Sequence, residues 1–109
     1  MSTLLPRGNI ARIYAIAVTF NPASVATVTT AEQTTTVVGL KPGDFVFWQK
    51  PTNTAGVGVV NARVSAVDTL AVTFVNPTAG GVDAASETWQ FLVFRPEVAA
   101  AALPSVVPA

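Results

Sequence analysis

Histidine and cysteine are both absent from this 109-residue chain, and charged residues make up only 11% of it. The first absence removes the side chain that most often moves protons at neutral pH. Together the two remove the usual ligands of zinc and other transition metals, the thiol nucleophile and any disulfide staple. Serines stand at Ser24, Ser65, Ser86 and Ser105, but no imidazole can activate them. A hard-cation site needs clustered carboxylates. Glu32, Asp44, Asp68, Asp83, Glu87 and Glu97 are instead dispersed; Asp83 and Glu87 are the nearest pair in one loop, and solvation is their expected state. Gly56-Val57-Gly58 and Gly80-Gly81 lack the frame of a dinucleotide or phosphate loop and read as turns. No enzyme activity, cofactor or metal is expected.

An ordinary soluble domain carries about a quarter charged residues. Here six basic and six acidic residues cancel and stand singly, while half of the chain is hydrophobic. Without a basic patch a nucleic-acid partner has no electrostatic footprint. The opening segment is too short for a secretory signal and is interrupted by Pro6. The apolar runs at 10–20 and 98–109 fall short of the roughly 20 residues of a membrane helix, so no membrane partner is expected. A small chain with so few solvated side chains is expected to hold much of its outer surface against other protein.

The chain that remains reads as β throughout, rich in Val and Thr and punctuated by Pro, Gly and Asn. The first run is Ile10–Phe20, closed by Asn21-Pro22, with Tyr14, Ile16, Val18 and Phe20 on one face. Short runs at 24–29 and 33–38 follow, then a turn over 39–44 in which Pro42 fixes φ and Gly43 accepts a positive φ. Residues 45–50 form the next strand. Residues 57–67 alternate, with Val60, Ala62, Val64 and Ala66 on one face, and Asp68-Thr69 is the expected hairpin tip leading back through Leu70, Val72 and Phe74. A loop over 78–87 feeds the last strand, 88–95. Six to seven short strands predict an all-β fold, an antiparallel β-sandwich or partly closed barrel. Val18-Thr19-Phe20-Asn21-Pro22 echoes Val72-Thr73-Phe74-Val75-Asn76-Pro77. Asn-Pro is good strand-ending chemistry in any fold, and that is the preferred account.

Two segments are apolar on both faces. In 45–48, Phe45 and Phe47 oppose Val46 and Trp48; in the last strand, Trp89, Phe91 and Val93 oppose Gln90, Leu92 and Phe94. One set of each fills the core, and the other is left for solvent or for another chain. Which set does which is not decided by periodicity.

The stretch Val38-Gly39-Leu40-Lys41-Pro42-Gly43-Asp44-Phe45-Val46-Phe47-Trp48-Gln49-Lys50-Pro51 resembles small proteins of tailed bacteriophages. So does Ala62-Arg63-Val64-Ser65-Ala66-Val67-Asp68-Thr69-Leu70-Ala71-Val72-Thr73-Phe74-Val75-Asn76-Pro77-Thr78-Ala79-Gly80, of which residues 68–80 are the most specific part. The similarity covers roughly residues 10–96, and the family it points to is the capsid decoration, or cement, proteins. The resemblance implies a virion protein on the capsid exterior that binds the major capsid protein and itself, a homotrimer being favoured over a homodimer. It also implies a β-sandwich domain over 10–96 between an N-terminal arm, 1–9, and an apolar C-terminal arm, 97–109. The expected partner contacts are Leu4, Leu5 and Arg7 in the first arm, Trp48 and Trp89 on the domain, and Val98, Leu103, Val106 and Val107 in the second arm. The alternative is a receptor- or carbohydrate-binding β-module of a phage fibre, or a tail or neck component, for which exposed Trp48 or Trp89 would be the platform.

Overall fold

The computed structural model describes residues 8–107. Six strands, β1 (Ile10–Phe20), β2 (Thr29–Thr36), β3 (Phe45–Gln49), β4 (Gly58–Ala66), β5 (Thr69–Asn76) and β6 (Glu87–Pro96), are followed by a 3₁₀ turn at Ala100–Ala102. They form two open three-stranded antiparallel sheets, ordered β1-β6-β3 and β2-β5-β4. The fold is thus an open sandwich and not a closed barrel. Only β4 and β5 are both consecutive and paired; every other connection crosses between sheets, which places sequence-distant strands side by side.

The inner faces meet around Trp89. Its ring lies 5.4 Å from that of Phe20, 5.9 Å from Phe74 and 5.9 Å from Phe91, the last nearly parallel to it. Leu70, Val72 and Phe74 from β5 and Phe91 and Val93 from β6 complete the buried centre. Each fully buried large side chain contributes roughly 1.5–3 kcal/mol through removal of apolar surface from water. β5 and β6 are the central strands of their sheets, which explains why they carry the bulkiest inward residues.

The Trp89 indole N–H is buried without a hydrogen-bond partner, whereas the other fully buried polar side chain, Asn76, is satisfied locally. Asn76, at the end of β5, is fully buried; its side-chain N–H groups donate to the carbonyls of Val25 and Gly80, and its carbonyl accepts from the Thr78 N–H and hydroxyl. Val25 and Val82 join in an isolated bridge beside it. In the echoed segment, one residue fewer separates Phe20 from Asn21 than Phe74 from Asn76. The period of two therefore turns Asn21 outward, where it is exposed, and Asn76 inward.

The turn over 39–44 is clamped by charge. Gly43 has φ +100°, as its place in the turn requires. The Asp44 carboxylate, 2% exposed, accepts from Arg95 Nε at 2.9 Å and Nη2 at 2.8 Å and from the Lys41 N–H at 3.0 Å. Arg95 also donates to the Gly39 carbonyl. The Arg95 hydrogen bonds, helped by the Lys41 amide, hold the Asp44 carboxyl below its usual range against the opposing cost of burial. A second fixture is the β4–β5 hairpin, whose Asp68 (φ +59°) accepts from the Gly39 N–H through its side chain and joins Val37 and Leu40 through its backbone.

Three expectations change in detail. The expected strand at 24–29 does not form, apart from Thr29 and an isolated bridge of Val25 with Val82. β2 instead runs Thr29–Thr36, starting earlier than the expected run at 33–38 and pairing without a break along β5; its polar edge position weakens the periodic signal. The hairpin tip is Val67-Asp68, one residue earlier, since Ala66 pairs with Thr69. In β4 an irregularity between Val59 and Asn61 leaves Val60 outside the alternation: Val60 is 52% exposed, whereas Val59 packs on the core with Ala62 and Val64.

Acid sensitivity follows from the clamp. The pKa of Asp44 is depressed by folding, so its contribution is fully present above the ordinary carboxylate pKa of about 3.9 and is lost as pH falls through the lower folded value. Glu32, bonded to Arg63, and Glu87, bonded to Lys50 and Thr52, are shifted in the same direction. With no histidine to titrate, stability measured by denaturant melts should be flat from about pH 5 to 8 and fall below about pH 4. Asp44→Ala should cost about 2–3 kcal/mol at neutral pH, because it strands a partly buried guanidinium, and should show a weaker acid dependence.

Candidate functional site

The two sheets turn opposite chemistry to their surroundings. On β2-β5-β4 the outward residues are mostly polar, Thr30, Glu32, Thr34, Thr73, Asn61 and Arg63, set by the register Glu32–Thr73–Asn61. Ala71 and Val75 are also on this side of β5, and Val60 is exposed on β4. Arg63 reaches across the central strand to Glu32 in a two-pronged bond of 2.7 and 2.8 Å, which lowers the Glu32 pKa and raises that of Arg63. This is a solvated face.

On β1-β6-β3 the outward residues form three cross-strand rows: Ile13–Phe94–Phe45, Ala15–Leu92–Phe47 and Ala17–Gln90–Gln49. Ile13 is 52% exposed, Phe45 47%, Phe47 58% and Leu92 39%. Phe47 and Phe94 meet edge to face at 5.5 Å, so the aromatic edge is ordered by its own packing. Alanines on β1 stand beside the larger residues of β6 and β3, leaving a shallow hollow of about 560 Å³ walled by Ala15, Ala17, Leu92, Gln90, Phe47 and Gln49. Among the described residues no charged side chain points from this face. A contiguous exposed apolar surface of this kind marks a docking site more often than a scatter of single apolar residues does.

The predicted site residues fall in different places. Leu4, Leu5 and Arg7 lie outside the described residues. Trp89 is a correction: it is fully buried at the centre of the core, because it points inward from the central strand of its sheet, and it offers nothing to a partner. Trp48 also points to the inner side, paired with Phe91, but β3 is an edge strand and the ring stays 36% exposed. It borders a cleft of about 460 Å³ with Lys50, Asn53 and Thr54. Lys50 is engaged there by Glu87 at 2.6 Å and by Thr54. That pairing also takes Glu87 away from Asp83, and no cluster of three or more potential metal ligands exists among the described residues. In the C-terminal arm Leu103 is half-buried, while Val98, Val106 and Val107 are exposed, the last at 94%. The arm leaves the domain beside the start of β1, where the Glu97 N–H donates to the Asn9 carbonyl.

Ile13, Leu92, Phe45 and Phe47 are thus the exposed apolar residues that tertiary structure brings together. Phe45 and Phe47 belong to a two-sided segment expected to turn one face to solvent or another chain, whereas nothing in the sequence singles out Ile13. The signal was present as two-sided hydrophobicity in 45–48 and 89–94, without the register to choose a side. No helix among the described residues is long and apolar enough to cross a membrane. Comparison with protein-family models, with curated proteins and with solved structures finds no match to this chain.

Because the outer-face residues are already partly exposed, Ile13→Thr should change stability by about 0.5 kcal/mol or less. Leu92→Thr and Phe47→Thr, the latter losing its edge-to-face contact with Phe94, should each cost about 1 kcal/mol. Trp89→Ala should cost about 3–5 kcal/mol. The triple variant should also lose binding of a hydrophobic fluorescent dye that the unaltered chain retains, read by titration of dye emission.

Proposed function

We propose that this chain is a non-enzymatic structural protein of a tailed-phage virion, a decoration or cement protein that binds the outer capsid surface and braces contacts between major capsid protein subunits. The observation that carries this reading is the uncharged apolar outer face of β1-β6-β3, set against the polar outer face of the opposite sheet. A monomer in water gains nothing from such a face, whereas a subunit laid on a protein shell removes it from water. The phage-like segments support the reading as structural elements: one contains the Asp44 turn, and the other contains the buried Asn76. The exposed C-terminal arm supports it further, as a second contact that adds avidity from the same subunit. A protein that binds only the assembled shell stabilises it by mass action.

A second reading rests on Trp48, whose half-exposed ring beside Asn53 and Lys50 has the form of a small sugar platform in a receptor- or carbohydrate-binding module. The burial of Trp89 removes the other half of that platform.

The test is re-addition of the purified chain to phage shells prepared without it, with occupancy read by co-sedimentation. Phe47→Lys should weaken binding by about tenfold or more, since it brings a charge into an apolar contact. Removal of 97–109 should weaken binding while leaving the domain folded, and Thr34→Lys on the polar face should not affect it. Equal binding by the Phe47 and Thr34 variants would defeat the face assignment, and a chain absent from purified particles would defeat the virion reading. Glycan binding lost in Trp48→Ala would favour the second reading.

A further inference from the structure

Four strand edges border the two open sheets, and three of them are poor templates for another strand. β3 has five residues and runs between Pro42 and Pro51. β4 is broken by two register shifts. β2 is a run of Thr, Glu and Gln with a single alanine. Short length, bulges and polar or charged side chains are the usual means of blunting an edge. β1 has none of these along most of its length. It is the longest strand at 11 residues, holds no proline and one charge, Arg12, and pairs with β6 from Arg12 to Phe20 without a shift. Among the described residues no backbone group pairs with its other edge from Arg12 onward.

We propose that β1 pairs antiparallel with β1 of a second copy of this chain, about a two-fold axis at Ala15, joining the two β1-β6-β3 sheets into one of six strands. The choice of a copy and of this register comes from the strand itself. Ala15 is the midpoint of Ile10–Phe20, so this axis overlaps the whole strand. An axis at a residue sets odd positions against odd ones, keeping outward residues on the outward face; a shift by one would turn one copy's apolar row to the other side. The outward pairs are then Ile13 with the partner subunit's Ala17, and Ala15 with its equivalent, large against small and small against small. On the inner side Tyr14 meets the partner subunit's Ile16, and Arg12 meets the partner subunit's Val18, so the one charge of the strand never opposes its own copy. Such an interface is isologous, as a two-fold contact must be. It also makes the apolar faces of the two subunits continuous. The proposal goes beyond shell binding: it takes up the self-association that the phage resemblance implies and makes it a dimer in place of the trimer favoured there. Its test uses the isolated chain without particles, so its failure and a failure of shell binding are distinguishable.

The chain contains no cysteine, which allows a direct test. Antiparallel partners lie about 4.5–5.5 Å apart at Cα, within disulfide reach. Ala15→Cys should therefore form a covalent dimer under mild oxidation on a non-reducing gel, while Gln49→Cys on β3 should not. Sedimentation velocity should show a species of twice the 11.2 kDa chain mass. Ala15→Lys and Ala15→Glu should each weaken dimerisation by about fivefold or more, and their equimolar mixture should restore it. A monomer or trimer at all concentrations, equal cross-linking from positions 15 and 49, or failure of the mixture to restore the dimer would overturn the proposal.

Discussion

The inward projection of Trp89 from the central strand β6 is the constraint on which the rest of the arrangement depends. Once that indole is packed against Phe20, Phe74 and Phe91, the period of two leaves no freedom for its neighbours: Phe91 and Val93 follow it inward, and Gln90, Leu92 and Phe94 point away. Pairing transmits the same parity to both flanking strands. Val46 and Ile16 join the core side, while Phe45, Phe47, Ile13 and Ala15 are carried to the outside. The exposed apolar face is therefore a consequence of how the core is filled, and no local rearrangement of one side chain could hide it.

The two sheets manage their outer surfaces differently because the charge supply is small. Of the twelve charged residues in the chain, six are used as fixtures in three ion pairs. Asp44 and Arg95 lock the turn over 39–44, Lys50 and Glu87 tie the loop after β3 to the start of β6, and Glu32 and Arg63 brace the polar sheet. None is placed on the outer face of β1-β6-β3. That allocation is the physical basis of the proposed shell contact, whereas the proposed self-pairing rests on the open edge of β1.

Much of the fold was legible from residues alone. Ile10–Phe20 runs as expected to its Asn-Pro stop, because proline cannot continue a ladder, and the Pro42-Gly43 turn and the β4–β5 hairpin lie at or within one residue of their expected places. The bounds of β2 were not legible because an edge strand of Thr and Gln, half-wet on both sides, carries little periodic contrast. The β4 alternation failed at Val60 because a bulge adds one residue without a compositional mark. At the candidate site the sequence showed that both strands holding a tryptophan were apolar on two sides. Preference for the largest aromatics then selected Trp89, which the core had claimed, over Phe45 and Phe47, which it had not.

Composition and periodicity by themselves determined that this chain is all-β, that its strands end at Pro, Gly and Asn, that histidine- and cysteine-based chemistry is absent, and that apolar surface exceeds what one small core can absorb. Only tertiary structure decided where that excess lies. Strands distant in the chain are neighbours here, β1 with β6 and β6 with β3, and a face exists only once their registers are set. The pairing that aligns Ile13 with Phe94 and Phe45, and Ala15 with Leu92 and Phe47, is fixed by long-range packing around Trp89, a cooperative property that no local stretch of sequence contains.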